Sequence, residues 1–147
     1  MSKPKTREIE PGTLIGPYRV LGSGRGEDLG TVYAAEHSVL GRPVELKIAW
    51  REGESPHYSP ELTELFRDGS RLLARLRHPN ISGLYDAGEY EGCPYIVREI
   101  VEGKSLGDLV DSQFETVVLL RMMRSVADAL QHAHDLNVIH RNLKPNV

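Results

Sequence analysis

The last ten residues, VIHRNLKPNV, bring four polar side chains of different chemistry close together in the chain. They are the imidazole of His140, the guanidinium of Arg141, the amide of Asn142 and the ammonium of Lys144. An amide is not an ionisable base, so Asn142 cannot accept a proton as a catalytic carboxylate does. Val147 has no side-chain oxygen that could bind a metal ion. Neither Asn142 nor Val147 therefore offers a base or a metal ligand, and we expect structural roles for His140 and Arg141.

A second group of charged side chains lies on segments with strand composition. Glu45 and Lys47 are two residues apart in PVELKIAW, and side chains at that spacing share one face of a strand. Arg98 lies in the later segment CPYIVREIV. A lysine or arginine that is taken out of water needs a carboxylate partner. Two interactions are therefore considered, Glu45 with Lys47 and Glu45 with Arg98.

Five strands and three helices are predicted to position these residues. Valine, isoleucine and tyrosine favour strands, which are bounded here by glycine and proline. The strand segments are YRVLG, GTVYAAEH, PVELKIAW, SGLYDAGEY and CPYIVREIV. A helix is predicted from about Pro60 to Leu76, a short one in SLGDLV, and a long one that ends near Leu136. Ser112 and Glu115 form a candidate capping box for the long helix.

Composition excludes several classes of function. Hydrophobic residues make up 39% and charged residues 27% of the chain, which is typical of a folded, soluble protein. The net charge of −3 gives no general argument for binding nucleic acid or a membrane. The single cysteine, Cys93, excludes an internal disulfide and fits a reducing cytoplasm. The charged N-terminal segment predicts no signal peptide, and the scattered histidines predict no metal site.

In order and spacing, these segments resemble a bacterial Ser/Thr protein kinase. The matching stretches are GPYRVLGSGRGEDLGTVYAAEH, VELKI, LLARLRHPNISGLYDAGEYEG, PYIVREIVEG and VADALQHAHDLNVIHRNLKP. The resemblance covers about residues 16–147 and implies an α+β fold. A kinase-like small lobe, with a five-stranded antiparallel sheet and one helix, is followed by the first two helices of the large lobe. We predict a flexible lead-in at 1–12, the small lobe at 13–103 and a partial large lobe at 104–147 that ends in the catalytic-loop segment.

The resemblance also implies a nucleotide site. In the family, a glycine-rich loop covers the phosphates of ATP and a strand lysine contacts them. Counted onto this sequence, the site residues are Gly24, Gly26, Gly30, Val32, Glu45, Lys47, Arg98, Glu99 and Val101. The backbone carbonyl of Glu99 and the N–H of Val101 remain able to bind a base. Glu27 and Asp28 occupy the loop where phosphates would lie, and their charges would repel a triphosphate.

Several family positions are changed. Asn142 replaces the catalytic aspartate, and Glu45 replaces a small residue that lines the adenine pocket. The helix glutamate that pairs with the lysine falls on Gly69, and a helical glycine costs about 0.5–1 kcal/mol relative to alanine. Close packing is one explanation for Gly69. The residues carried over at catalytic positions are Lys47, His140, Arg141 and Lys144, with Asn142 as the inactive replacement.

These changes predict a catalytically inactive, pseudokinase-like domain that acts as a binding or scaffolding module. No cofactor is required, and binding of ATP and magnesium is expected to be weak or absent. One alternative is a fragment of an ATP-dependent protein Ser/Thr kinase that is completed by missing large-lobe residues. A second alternative is a sensor that binds a nucleotide without transferring phosphate.

The long helix predicts a partner. It has one apolar stripe at Leu120, Met123, Ala127 and Leu130 and another at Val118, Met122, Val126, Ala129 and Ala133. In a complete family member, large-lobe helices cover this helix. An exposed apolar stripe usually marks an interface. We therefore expect a homodimer, or a tight complex with another protein, through the helix near Val118, Met122, Val126 and Ala133.

Overall fold

The structure of the chain is a computed structural model. It describes residues 8–27, 30–49, 60–109, 115–141 and 143–145. No helix among these residues is long and apolar enough to cross a membrane.

The described residues include seven strands that form one antiparallel sheet. The strands are β1 (Leu14–Ile15), β2 (Tyr18–Val20), β3 (Arg25–Glu27), β4 (Gly30–His37), β5 (Pro43–Ile48), β6 (Leu84–Tyr90) and β7 (Cys93–Arg98). Their order is β1-β2-β4-β5-β7-β6, and β3 pairs with β4 beside this path. The five predicted strands are all present. The two strands that were not predicted, β1 and β3, are short, and β3 lies in a glycine-rich segment of low strand propensity.

Within the described ranges there are three helices: α1 (Pro60–Leu73), α2 (Leu106–Leu109) and α3 (Thr116–Asp135). The first ends three residues before its predicted end at Leu76. In α2, the Ser105 hydroxyl accepts a hydrogen bond from the Asp108 N–H at 3.2 Å, while the Asp108 carboxylate accepts one from the Ser105 N–H at 3.1 Å. This reciprocal pair is a capping box. For α3, the Glu115 side chain makes no capping hydrogen bond, and Ser112 lies outside the described residues.

The core lies against one face of the sheet, and β5 shows how the sequence produces it. Val44, Leu46 and Ile48 are at most 1% exposed, whereas the alternating residues Glu45 and Lys47 are half-buried on the other face. This period of two is the pattern of a strand with one apolar face. The side chains that join these three residues in the core are Ile9, Ile15, Tyr18, Val20, Tyr33, Ala35, Cys93, Tyr95 and Val97.

The prediction of a flexible lead-in at 1–12 is wrong for residues 8–12. Ile9 is only 5% exposed and belongs to the core. The Gly12 N–H donates to the Val20 carbonyl at 2.8 Å, which attaches this segment to β2. Burial of an isoleucine side chain stabilises by about 2 kcal/mol, enough to hold a short polar segment in place. Residues 1–7 lie outside the described part of the chain.

By internal contacts, the chain divides into two compact units. The first comprises Met1–Ala74 and Gly83–Ile100, and the second comprises Arg75–Ser82 and Val101–Val147. The first contains the whole sheet and α1. Within the second, the rings of His78 and His132 lie with their centroids 5.3 Å apart. The division into a small lobe at 13–103 and a partial large lobe at 104–147 stays a prediction.

Close packing does not explain Gly69. A methyl group added there would meet no atom within 4 Å. We therefore expect Gly69→Ala to stabilise the chain by about 0.5–1 kcal/mol, because alanine loses less backbone entropy in a helix. Urea unfolding followed by circular dichroism measures this change.

Gly41→Ala is the matched control for that substitution. A methyl group at Gly41 also meets no atom within 4 Å, but Gly41 has a φ of +63°. Alanine at a left-handed position costs roughly 1–2 kcal/mol, so this variant should be less stable than wild type. Equal shifts for the two variants would contradict the backbone argument.

Tyr18 predicts a loss of stability at alkaline pH. The pKa of Tyr18 is raised from 10.0 to about 12. Burial is the largest cause, followed by the hydrogen bond to Asp86 at 3.1 Å and the charge of that carboxylate. The folded state therefore holds this proton more tightly than the unfolded state does. Stability from Tyr18 is complete below pH 10 and is lost as the pH rises toward 12. Urea unfolding of wild type and Tyr18→Phe between about pH 9 and pH 11 should show a shallower fall for the variant. Equal slopes would contradict this prediction.

Candidate functional site

The candidate site lies on the face of the sheet opposite the core, where β4, β5 and β7 run side by side. Antiparallel pairing places Lys47 opposite Val32 and Glu45 opposite Arg98. Residues directly opposite each other in a sheet project from the same face. The register therefore places four of the predicted site residues on the same face of three neighbouring strands: Val32, Glu45, Lys47 and Arg98.

Arg98 is paired with Glu45, which confirms one of the two interactions considered from the sequence. The Arg98 Nε donates to Glu45 Oε2 at 2.6 Å. The two side chains are 31% and 23% exposed, so the pair is partly shielded from water. The short distance is typical of a charge-assisted hydrogen bond.

Lys47 has a different partner from the one considered. Its Nζ lies 3.3 Å from Glu27 Oε2, and the lysine side chain is only 17% exposed. Glu27 belongs to β3, whose pairing with β4 places Glu27 opposite Gly30. The sequence places Glu27 where phosphates would lie but does not predict its contact with Lys47, and Asp28 lies outside the described residues. The signal that could have found it is an acidic residue inside a glycine-rich segment next to a half-buried lysine.

Five side chains join into one network, which we call the charge cluster: Arg25, Glu27, Glu45, Lys47 and Arg98. Glu27 Oε2 is also 3.5 Å from Arg98 Nη2. Arg25 Nη2 lies 2.9 Å from Glu27 Oε1 and 3.4 Å from Glu45 Oε1. Each carboxylate thus contacts more than one cation. With three cations and two carboxylates, the cluster has a formal charge of +1.

The electrostatics of Glu27 reflect this crowding. Partial burial alone raises the pKa of Glu27, but the charges of Arg98 and Lys47, the hydrogen bond from Lys47 and the charge of Arg25 lower it. The cations outweigh burial, so the pKa of Glu27 lies below its ordinary value of 4.5. Glu27 is therefore an anion at neutral pH and a strong competitor for any other anion near Lys47.

The three glycines assigned to the phosphate loop differ in their surroundings. A methyl group at Gly30 would overlap the backbone carbonyl oxygen of Ile48, and one at Gly24 would lie 2.8 Å from the Tyr33 ring. At Gly26, nothing lies within 4 Å. Gly30 and Gly24 are thus required by packing within the protein itself, whereas Gly26 is free to vary.

Among the α1 residues whose side chains the structure describes, none contacts Lys47. In the described part of α1, the ion pairs are Arg67 with Glu89 at 3.0 Å and Arg71 with Asp68 at 3.1 Å. Gly69 occupies the position at which the family has the glutamate that pairs with the lysine. The described contacts of Lys47 therefore come from the glycine-rich strand and not from this helix.

The predicted base-binding residues lie at the end of β7 and beyond it. The Glu99 N–H donates to the Gly83 carbonyl at 2.9 Å, and the Glu99 carboxylate accepts from the Gly83 N–H at 3.1 Å. Glu99 is thereby fixed within the first compact unit. Val101 belongs to the second unit and is 73% exposed. Their assignment to a base site stays a prediction.

The structure describes only part of the catalytic-loop segment. His140 and Lys144 are exposed, and Arg141 has a left-handed φ of 60°. Asn142 and Val147 lie outside the described residues. Among the residues the structure does describe, no group of three or more potential metal-binding side chains occurs.

Comparisons with known proteins point to one family. The model of the protein kinase domain matches residues 17–147. The serine/threonine-protein kinase PrkC of Bacillus subtilis is 32% identical over 135 residues, which are 90% of this chain and 20% of that protein. PknA of Mycobacterium tuberculosis, also a serine/threonine-protein kinase, is 34% identical over 140 residues, covering 90% of this chain and 32% of that protein. The chain thus spans a third or less of the length of these relatives.

The solved structures show the same likeness. The kinase domain of PknI from M. tuberculosis superposes with a TM-score of 0.74 at 26% identity. The match covers 93% of this chain and 55% of the PknI chain. The kinase-like fold implied by the sequence is therefore confirmed, over about half of such a domain.

Proposed function

The chain belongs to the protein kinase family, and from this membership we propose that it is a catalytically inactive, kinase-like domain that acts as a binding or scaffolding module. The observation that carries the proposal is the contact of Lys47 Nζ with Glu27 Oε2 at 3.3 Å. In active kinases the equivalent lysine contacts the phosphates of ATP. Here it is neutralised by the protein itself.

The residues of the charge cluster do not fit a nucleoside triphosphate in the arrangement described. Glu27 occupies the position beside Lys47 and would repel phosphate oxygens at close range. The Glu45–Arg98 pair puts two charges where the family places an apolar wall for adenine. Stacking a base against them would remove charged groups from water, which is costly. ATP binding is therefore expected to be weak.

The catalytic-loop sequence supports the proposal of an inactive domain independently of the charge cluster. In the family, the aspartate of this loop accepts the proton of the substrate hydroxyl. Asn142 has no basic carboxylate. The chain thus carries changes in both nucleotide binding and proton acceptance, and each acts against phosphoryl transfer.

Two alternatives rest on other observations. The named relatives are Ser/Thr protein kinases, and Lys47 and Arg141 are retained, which favours a fragment of an active kinase. A nucleotide sensor is favoured by the retained lysine alone. The sensor and the kinase fragment both require Lys47 to contact phosphate, whereas the proposed module does not, so ATP binding separates the proposal from both alternatives.

The test combines transfer and binding. The purified 147-residue chain is incubated with radiolabelled ATP, magnesium and a general protein substrate, and ATP binding is measured by calorimetry. We expect no transfer above that of Lys47→Ala and no saturable ATP binding. Transfer that is lost in Lys47→Ala would establish the kinase alternative. Binding without transfer, lost in the same variant, would overturn the proposal in favour of a nucleotide-binding role, either as a sensor or as a fragment of a kinase.

We also propose a second copy of this chain as a binding partner, through α3. The predicted interface residue Ala133 is wrong for this role, because it is 7% exposed and packed within the chain. The apolar side chains of α3 that are more open are Val117, Leu119, Leu120, Met123 and Val126, at 36–62% exposure. Val118 and Met122 are half-buried. The apolar surface open to a partner is therefore centred on Leu120 and not on Ala133.

Sedimentation equilibrium tests the dimer. We expect a dimer for wild type and a monomer for Leu120→Asp, because a carboxylate in an apolar interface is costly to desolvate. Arg121→Asp is a neighbouring control on the same helix. A wild-type monomer at high protein concentration would contradict the proposal.

A further inference from the structure

Glu27 sits at a point where an anion is held by two cations from different strands. Its Oε2 atom is 3.3 Å from Lys47 Nζ on β5 and 3.5 Å from Arg98 Nη2 on β7. An ammonium and a guanidinium around one anionic oxygen form the arrangement that proteins use to bind phosphate and carboxylate groups. The carboxylate thus occupies a preformed anion site.

Glu27, which occupies the site, belongs to a short strand. β3 has three residues, pairs with β4 alone, and lies beside the main path of the sheet. None of its three residues is buried, and Gly26 has open space around it. The Glu27 side chain is 27% exposed, so solvent reaches it. Glu27 can therefore leave the two cations without disturbing the core.

The two cations, in contrast, are carried by strands of the main path of the sheet. Lys47 and Arg98 are on β5 and β7, which pair directly with each other. Glu45 holds the Nε of Arg98 at 2.6 Å and leaves the Nη2 directed toward Glu27. If Glu27 withdraws, Lys47 and Arg98 remain on neighbouring strands in a partly shielded place.

We propose that Glu27 is an internal competitor, and that a ligand carrying a phosphate chain binds between Lys47 and Arg98 by displacing it. The inference rests on the proposed function, in which Glu27 neutralises Lys47. It adds that Glu27 controls the binding of a ligand at the charge cluster. The phosphate chain is the recognised group, because the adjoining Glu45–Arg98 pair presents charge and not an apolar surface to a base. Glu27 then sets the concentration at which any such ligand binds.

Removing the charge of Glu27 tests the idea. The formal charge of the cluster rises from +1 to +2, since one of its two carboxylates becomes neutral. Glu27→Gln keeps the shape of the side chain. We expect it to bind inorganic tripolyphosphate at least about tenfold more tightly than wild type, measured by calorimetry without magnesium, and less tightly as salt is added.

Further variants and ligands make the test specific. Glu89→Gln is the matched control, because Glu89 pairs with Arg67 at 3.0 Å outside the charge cluster. It should bind like wild type, and Glu27→Gln combined with Lys47→Ala should lose the gain. In Glu27→Gln, the affinity for ATP should rise by about the same factor as the affinity for tripolyphosphate, whereas adenosine should not bind. Glu27→Asp, which keeps the charge but shortens its reach, should fall between wild type and Glu27→Gln.

The outcomes separate this inference from the proposed function. If neither Glu27→Gln nor Glu27→Asp binds tripolyphosphate more tightly than wild type, the internal competitor is refuted, and the absence of phosphate transfer is unaffected. If Glu27→Gln bound ATP more tightly than wild type but did not bind tripolyphosphate more tightly, recognition of the phosphate chain would be refuted. Phosphate transfer by the wild-type chain would refute the proposed function while leaving the gain in Glu27→Gln as a separate result.

Discussion

Gly30→Ala is expected to destabilise the chain by about 3 kcal/mol or more. The new methyl group would overlap the carbonyl oxygen of Ile48 and lie 3.2 Å from the Cα of Ala49. All of the nearest atoms belong to the backbone of the neighbouring strand, which cannot turn away as a side chain can. β4 and β5 would have to separate where Thr31 pairs with Ile48. Thermal unfolding followed by circular dichroism should show a midpoint lowered by roughly 10 °C.

Gly26→Ala is the control for Gly30→Ala, because it changes another glycine of the same segment. A methyl group at Gly26 meets nothing within 4 Å, so stability should change by less than about 0.5 kcal/mol. A sequence-based assignment of both glycines to a phosphate loop predicts no such difference in the absence of ligand. Equal melting temperatures for the two variants would contradict the packing role of Gly30.

The Glu45–Arg98 pair is expected to contribute a coupling free energy of about 1 kcal/mol in a double-mutant cycle. The Nε–Oε2 distance is 2.6 Å, and the two residues are direct cross-strand neighbours. Each single change to alanine should cost about 1–2 kcal/mol, because it takes from a partly buried charge its shortest ion-pair contact. The double variant should cost less than the two single costs combined. Partial exposure of both side chains keeps the coupling below that of a fully buried pair.

Urea unfolding of the four chains in low and high salt measures this coupling. The Arg67–Glu89 pair, which joins α1 to β6, provides a more exposed pair for comparison. It has a distance of 3.0 Å, but its side chains are 58% and 48% exposed. Its coupling should stay below about 0.5 kcal/mol. Equal coupling for the two pairs would mean that shielding from water does not strengthen the Glu45–Arg98 contact.

Much of the fold could be predicted because local pattern and tertiary environment agree. In β5, Val44, Leu46 and Ile48 alternate with Glu45 and Lys47, and this period of two sets both the strand and its buried face. The same alternation put Glu45 and Lys47 on one face. It could not choose between Lys47 and Arg98 as the partner of Glu45, because the choice depends on which strand lies beside β5.

Glycine residues show where the sequence is ambiguous. Gly30 and Gly69 look alike in a sequence, as small residues that need an explanation. In the structure, Gly30 is packed against the Ile48 carbonyl, whereas Gly69 has open space around it. The difference arises from the approach of a strand that is distant along the chain, which no local pattern encodes.

The sequence by itself determined the kinase-like order of strands and helices, the shared face of Glu45 and Lys47, and the replacement of a catalytic carboxylate by Asn142. Only the tertiary structure decided that Glu27 is the partner of Lys47. The two residues are 20 positions apart, and Glu27 lies in a glycine-rich segment with little strand preference of its own. Pairing with β4 turns that segment into β3 and brings its carboxylate to the cations of β5 and β7. Local propensity is a property of neighbours in sequence, whereas the contact of two charges depends on where the sheet brings them.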